Sequence, residues 1–585
     1  MLNIEQALLQ KYPNFNEAAS WWRQPSLVLL RGLIHEREIN RFLQQHQGLR
    51  GFEFLDKVLE YFNFSYRLSH ADKANIPATG RVVIVANHPL GSLDGLALLK
   101  LVSEVRADVR ILANDLLSHL SPLQSLFLPI DNLSAQGHKR SIQRVLQALQ
   151  REEAVIVFPA GEVSRASWDG IKDGRWQPGF LLFARKANAP VLPVHVQGRN
   201  SWMFYALSML YKPLSTLLLA HEMFAQRNRE LQVRVGQPIP IEQLRALPLP
   251  NQMVAKLVKK HVYRLGKKGK PLFVTENTIA HPQQRQAVKK ALALAPCLGQ
   301  TADGKKIYLY DYQPDSPVMK EIGRLRELAF RQVGEGTGQK LDLDSFDHYY
   351  RHLVLWDEED LEIAGAYRLA EVSKLLQSGQ PLYSAQLFRY RPDMQPYFEQ
   401  GVELGRSFVQ PKYWGKRSLD YLWQGLGAYL RHHPQVRYLF GPVSISQAYP
   451  LMARQLLVRF YQVYFADPEY LAQAKVPFVG KVEDEVWLQQ LFSGNNYAED
   501  FIELKERLSH LGVTVPTLYK QYTEVCEPGG VRFLDFGVDP DFGYCIDGLV
   551  LVDLSRLTAK KRRRYLQEDG RSAKPDNGVE SDQAA

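Results

Sequence analysis

Cysteine is nearly absent: Cys297, Cys526 and Cys545 are the three in 585 residues. They are odd in number, far apart and outside any CxxC or metal-ligand spacing. This argues against a disulfide framework or a structural zinc and for a reducing compartment. Long apolar runs are also missing. The nearest approach, WMFYALSMLYKPLSTLLLAHEMF at 202–224, is divided by Lys212-Pro213, and neither half reaches the roughly 20 apolar residues a bilayer core requires. Each half suits either a helix lying in the membrane interface, with aromatics at its start and Arg227 and Arg229 beyond, or a buried helix. Met1-Leu2-Asn3-Ile4-Glu5 lacks the basic start and apolar run of a signal peptide, so no export signal is expected. No recognised nucleic-acid motif accompanies the basic residues, which disfavours nucleic acid as a partner. The tempting GEGTGQK at 334–340 ends in Lys340 followed by leucine, so the phosphate-loop pattern fails.

What is present describes a folded, basic, multi-domain protein. Hydrophobic residues at 45% and charged residues at 23% exclude a disordered chain, and 585 residues exceed one ordinary core. Against 62 acidic residues stand 72 Lys and Arg, a net charge of +10, which favours an anionic partner. Residues 1–75 read as two or three helices leading into a first domain. Strand and helix signals then alternate: strands at 82–86, 109–113, 154–158, 191–196 and 230–235, helices at 93–105, 141–150 and 180–188. That alternation predicts an α/β domain over 76–270 with a mainly parallel sheet. The basic segment AKLVKKHVYRLGKKGK at 255–270 marks the boundary. A second α/β domain over 271–570 is expected to be more antiparallel, with helices at 283–295 and 318–332 and from Ser418, and strands at 306–312, 361–369 and 397–409. The polar tail at 571–585 reads as disordered.

Two stretches carry the chemistry. In VVIVANHPLGSLDG, the apolar run of Val82, Val83, Ile84 and Val85 delivers Asn87 and His88 to a strand-to-helix corner, where an open α/β sheet binds ligands. Asp94 lies near enough to fix the His88 tautomer and leave the other ring nitrogen as a general base. FPAGEVSR at 158–165 follows a second strand and VLPVHV at 191–196 forms a third. In this order the three motifs resemble the glycerolipid acyltransferase family over residues 82–238. The resemblance implies that His88 deprotonates an acceptor hydroxyl, that Asp94 orients it, and that Asn87, Gly161, Glu162, Ser164 and Arg165 hold the acceptor. The sequence departs from the family by placing five residues between histidine and aspartate instead of four and by Ala160 in the second motif. It also has Asp131 in LPIDNL at 128–133, where the family has its acceptor arginine. These departures argue against glycerol 3-phosphate as the acceptor.

In the second half, Arg326 with Phe330, the acidic LDLDSFDHYYRHL at 341–353, Arg368, and ELGRSFVQPKYWGKRS at 403–418 resemble the hemolysin-like ornithine N-acyltransferases. At longer range they resemble the autoinducer synthases of the acetyltransferase-like fold. The resemblance implies Glu403 as a base, or a water-orienting group, for deprotonating an amine. It further implies that Arg326, Phe330, Asp344, Asp347, Arg368 and Arg406 bind substrate, the two aspartates holding the ammonium groups of a diamino acid. Lys412, Gly415, Lys416, Arg417 and Ser418, before the next helix, would bind the acyl donor. The expected protein is therefore a two-domain α/β acyltransferase. Its second domain would N-acylate ornithine with a 3-hydroxyacyl chain and its first would O-acylate the lyso-lipid. Acyl-(acyl carrier protein) or acyl-CoA would be the donor, with no permanently bound cofactor or metal. The expected location is peripheral, on the cytoplasmic face of the inner membrane. Another N-acyl amino-acid lipid, such as a glycine lipid, is the alternative product, and a membrane-surface scaffold with inactive acyltransferase folds is the alternative of a different class.

Overall fold

A computed structural model describes residues 27–28, 31–114, 121–130, 135–167, 170–210 and 218–567. The chain divides into two compact units, Met1–His281 and Pro282–Ala585. Residues 271–281, grouped by composition with the second domain, are tied to the first: Thr278 Oγ1 donates to the Asn75 carbonyl at 2.8 Å, and the His281 ring lies 2.9 Å from the Ile76 carbonyl. The expected disordered tail at 571–585 lies outside the described residues.

The first unit is built on strands β1 (Ser65–Arg67), β2 (Val82–Ala86), β3 (Val109–Asn114), β4 (Phe127–Ile130), β5 (Ala154–Val157), β8 (Val191–Gln197) and β9 (Glu230–Val235), with β6 (Arg165–Ser167) and β7 (Gly170–Lys172) forming a separate hairpin. The sheet order is β1-β9-β8-β2-β5-β3-β4, and all neighbours are parallel except β8 and β9. The continuous apolar run of β2 follows from its central place. Val82, Ile84 and Ala86 enter one core, with the helix Ser92–Ser103 above them. Val83 and Val85 enter the other, with the helices Gly179–Ala187 and Asn251–Gly266. A strand covered on both faces has no polar side to show. The chain leaves β5 on one side of β2 and returns as β8 on the other, so the carboxyl end of β2 is a switch point of the sheet.

The second unit carries an eight-stranded sheet in the order β10 (Cys297–Gln300), β11 (Lys306–Asp311), β12 (Arg351–Asp357), β13 (Glu362–Glu371), β15 (Gly401–Val409), β16 (Tyr438–Ile445), β19 (Cys545–Asp553) and β18 (Val531–Asp539). A small ribbon pairs β14 (Phe388–Tyr390) with β17 (Ala472–Ala474). All neighbours in the large sheet are antiparallel except β15 and β16. That parallel pair is joined only through Gly401↔Tyr438, Val402↔Leu439 and Glu403↔Phe440, after which the two strands part. Alternate residues again face two cores, Leu353 and Leu355 one way, Val354 and Trp356 the other. The expected strand at 397–409 begins only at Gly401, because a short helix, Gln395–Glu399, precedes it.

Candidate active sites

The turn from β2 into the helix Ser92–Ser103 brings His88 and Asp94 together, with His88 Nδ1 3.0 Å from Asp94 Oδ1. This is a close charge contact, off the line of an ideal hydrogen bond. The five-residue spacing is accommodated at Gly91, whose φ of 100° lies in the region that favours glycine. Asp94 is fully buried in the first helical turn, and its other oxygen accepts the Leu90 N–H at 2.9 Å. The His88 ring stacks on Phe158 with centroids 4.0 Å apart, which aligns the first motif with the second. Burial alone would lower the His88 pKa, but Asp94 and, behind it, Asp173 raise it above the ordinary imidazole value. With Nδ1 at the carboxylate, Nε2 is the nitrogen left to act on a substrate.

Three of the residues nominated around His88 prove to be framework. The Asn87 side chain is locked to β8, donating to Val196 O and accepting from Val196 N, both at 2.8 Å, so it shapes the loop. Ser164 is buried; its N–H donates to His88 O at 2.7 Å and its hydroxyl to Asp173 Oδ1 at 2.5 Å. Gly161 makes the turn after Phe158 at a φ of 66°. Glu162 and Arg165, paired at 3.2 Å, are the more accessible members of the motif. Asp131 lies outside the described residues.

Asp173 went unnoticed in the sequence. It is buried, it accepts His88 N–H at 3.1 Å and Trp176 Nε1–H at 2.8 Å besides the Ser164 hydroxyl, and it therefore joins the His88 loop to the FPAGEVSR loop. The Lys259 ammonium clasps the same turn through the carbonyls of Asp173 and Gly174 at 2.6 and 2.8 Å. Isolated acidic residues in glycine-rich turns read as surface, and no spacing signal marks this one.

In the second unit the charged motif residues converge, but mostly on each other. Arg326 Nη1 donates to Asp347 Oδ1 at 2.8 Å and Arg368 Nη1 to Asp344 Oδ1 at 2.6 Å, while Arg406 Nε stands 3.4 Å from Asp342 Oδ1. Arg326, Asp347 and Arg368 are almost fully buried and form an interior lattice. Phe330 is likewise a core residue, edge-on to Phe542. Asp344 and Asp347 also cap the turn Ser345–His348 through their side chains. Burial tends to raise the Asp347 pKa, but Arg326 and Arg368 outweigh it and hold the carboxylate well below its usual range. The two aspartates are thus paired with arginines, Asp347 inside the core and Asp344 at its edge with 26% of its side chain exposed.

Glu403 shares the buried fate. Its oxygens accept the Tyr350 hydroxyl, Tyr383 N–H at 3.2 Å and Ser384 N–H at 2.7 Å, and only 1% of its surface is exposed. Burial pushes its pKa up. A carboxylate closed by three donors positions Tyr383 and does not reach a substrate amine, which corrects its expected role as base. Residues three apart on a strand point to opposite faces, yet Arg406 meets the same tyrosine: Nη1 lies 3.1 Å from Tyr383 Oη. The cause is a bulge, with Arg406 at a φ of 47° and the β13–β15 register shifted beside it. Beyond β15, Lys412 pairs with Asp360 at 2.9 Å and with Glu362, Gly415 turns at a φ of 71°, and Ser418 is buried at the start of its helix. Lys416 and Arg417 remain exposed before that helix. GEGTGQK is the helix stop after Pro317–Gln332: Thr337 and Gly338 N–H groups close on buried Glu327. Among the described residues no group of three or more His, Cys, Asp or Glu is arranged to hold a metal, and no helix is long and apolar enough to cross a membrane.

A family model described as an acyltransferase matches residues 13–269, and one described as an acetyltransferase (GNAT) domain matches residues 325–424. The chain is 32% identical over 304 residues to a glycine N(alpha)-acyltransferase of Bacteroides thetaiotaomicron, covering 49% of this chain and 89% of that protein. It is 33% identical over 244 residues to a lyso-glycine lipid O-acyltransferase of Phocaeicola vulgatus, covering 40% of this chain and 86% of that one. An L-ornithine N(alpha)-acyltransferase of Brucella abortus is 33% identical over 149 residues, which span 22% of this chain and 50% of the relative.

Proposed function

This chain belongs to the acyltransferases of amino-acid lipid synthesis, and from that premise we propose that it performs both acylations of one lipid. The second unit transfers a 3-hydroxyacyl group from a thioester to the α-amino group of an amino acid. The first unit then acylates the new chain's hydroxyl, with His88 Nε2 taking the hydroxyl proton and Asp94 steadying the imidazolium. The observation that carries the O-acylation is the 3.0 Å contact of His88 Nδ1 with Asp94 at the carboxyl end of β2. Keeping both sites on one chain favours the second step, because a released lyso-lipid meets a tethered site at raised effective concentration.

The favoured amino acid is glycine. The carboxylates nominated for a second ammonium are engaged with arginines, and the glycine-lipid relatives are matched over most of their length. Ornithine is the second reading, supported by relatives matched over about half of theirs. The donor is an acyl thioester on coenzyme A or acyl carrier protein, and exposed Lys416 and Arg417 suit an anionic carrier. The lyso-lipid reaches the first unit from a membrane surface. The helix Trp202–Leu210 buries Phe204 and Tyr205 against Val163 of FPAGEVSR while exposing Trp202 and Met209. The test is expression in a bacterium that lacks amino lipids, fed labelled glycine or ornithine, with the lipid extract resolved by mass. Labelled diacylated glycine lipid is expected, and His88→Ala should stop at the mono-acylated form. No labelled lipid from either amino acid under good expression would refute the proposal.

A further inference from the structure

With Glu403 closed off, the amine that attacks the thioester needs a proton acceptor elsewhere, because an ammonium has no lone pair to offer. A second set of acidic groups stands on the same face of the large sheet. Ser444 of β16 is paired with Asp547 of β19, and Asp539 of β18 with Cys545, two residues before Asp547, so their side chains share a face. Ser444 Oγ donates to Glu335 Oε2 at 3.0 Å, which places Glu335 over this face from the end of the helix Pro317–Gln332. Tyr383 links the group to β15: its hydroxyl donates to Asp539 Oδ2 at 3.4 Å and lies 3.1 Å from Arg406 Nη1. The carboxylates therefore stand on the β16 side, and Arg406 on the β15 side, of the point where those strands part.

The partners within this group are uneven. Asp539 is satisfied, accepting Asp541 N–H through one oxygen and Tyr383 through the other. Glu335 is bonded through Oε2 alone. Asp547 is 5% exposed and accepts no hydrogen bond from the described residues, although a buried carboxylate without a donor is costly. Burial, reinforced by Asp539 and Glu335, pushes the Asp547 pKa up strongly, and burial sets Glu335 at about 7, against the lowering effects of Ser444 and Arg406. A bound cation would relieve both groups. A carboxyl that titrates near neutrality is also well matched to taking a proton and giving it up.

We propose that Glu335 and Asp547 hold the acceptor's amino group during N-acyl transfer and that Glu335 Oε1 takes its first proton. This rests on the reading that the second unit acylates an amino acid. The ammonium gives one proton to Glu335, and the freed lone pair forms the N–C bond to the thioester carbonyl. The C–S bond then breaks with its electron pair on sulfur. The proton still carried by the new amide nitrogen in excess leaves with the thiolate as free thiol, and Glu335 returns its proton to solvent. Arg406, held by Asp342 and Tyr383, stands beside the same cluster.

The full chain, a 3-hydroxyacyl-CoA and glycine or ornithine provide the test, with O-acylation of supplied N-(3-hydroxyacyl)glycine as an internal control of folding. Glu335→Gln should lower kcat for N-acylation about 100-fold at neutral pH, the range of general-base loss, and recover in part as alkaline pH supplies free amine. Asp547→Asn should raise KM for the amino acid about tenfold or more, leaving KM for the thioester unchanged. O-acylation should be unaffected in both. Variants that keep N-acylation within about twofold of the wild type would overturn the inference and leave the proposed function standing. A Glu335→Gln loss that is independent of pH and accompanied by a lower Tm would also overturn it. A wild-type chain that N-acylates neither amino acid would remove the premise itself.

Discussion

Asp173→Asn separates a framework role from a catalytic one in the first unit. The Asp173 carboxylate receives three donors, the Ser164 hydroxyl, His88 N–H and Trp176 Nε1–H, at 2.5, 3.1 and 2.8 Å. Asparagine keeps the shape but has one acceptor oxygen, so one side of the cluster meets an N–H₂ group instead. A hydrogen bond to a charged group contributes about 1.5–3 kcal/mol. At about 1.4 kcal/mol per decade, a loss of that size felt in the placement of His88 slows O-acylation by about 10- to 100-fold. The variant also removes one of the negative charges that raise the His88 pKa, so the ascending limb of the pH–rate profile should move to lower pH. The assay is acyl transfer to a supplied N-(3-hydroxyacyl) amino acid across pH, with N-acylation by the same preparation as control. An unchanged kcat/KM and an unmoved limb would refute the argument that Asp173 holds the two loops in register.

Asp94→Asn tests the other half of that electrostatics. Burial lowers the His88 pKa and Asp94 is the strongest group raising it, so the limb should again shift downward, with a loss of at least about tenfold because the imidazolium is no longer stabilised. In its folded form a raised His88 pKa stabilises the protein at pH below the free imidazole value. That contribution fades as pH rises through the folded pKa, so acid melts should show a larger Tm drop for the variant than melts at pH 8. Gly441→Ala examines the parting of β15 and β16: a Cβ there would stand 2.0 Å from Leu404 O, whereas one at Gly405 meets nothing within 4 Å. The first substitution should cost about 3 kcal/mol or more in a urea titration and the second less than 1. Equal midpoints would mean that the strands do not approach there.

The strands and helices that place His88 were legible because β2, β5 and β8 are apolar on both faces and end in turn residues, a pattern only a doubly covered sheet produces. β1 was missed. Its three residues form an edge pair with β9, too short to show a period. The β18 and β19 strands complete the second sheet, and the pairing of β19 with β16 joins residues about a hundred apart in sequence. Pairing over such distances leaves no local mark.

Motif residues were easier to find than their direction was to infer. The family resemblance assigned Arg326, Asp344, Asp347, Arg368 and Arg406 to the substrate and Glu403 to catalysis. The fold instead closes three arginines on three aspartates. A buried charge must find a partner, and whether that partner is a side chain or a substrate depends on which strand bulges and which turn caps. Here the bulge at Arg406 turns one arginine toward Tyr383, and through it toward Asp539. Glu335 lies in GEGTGQK, which reads as a failed phosphate loop, and nothing in the sequence joined it to Asp539 and Asp547. The incomplete pairing of Asp547 and Glu335, beside a satisfied Asp539, exists only once β16, β18 and β19 lie side by side.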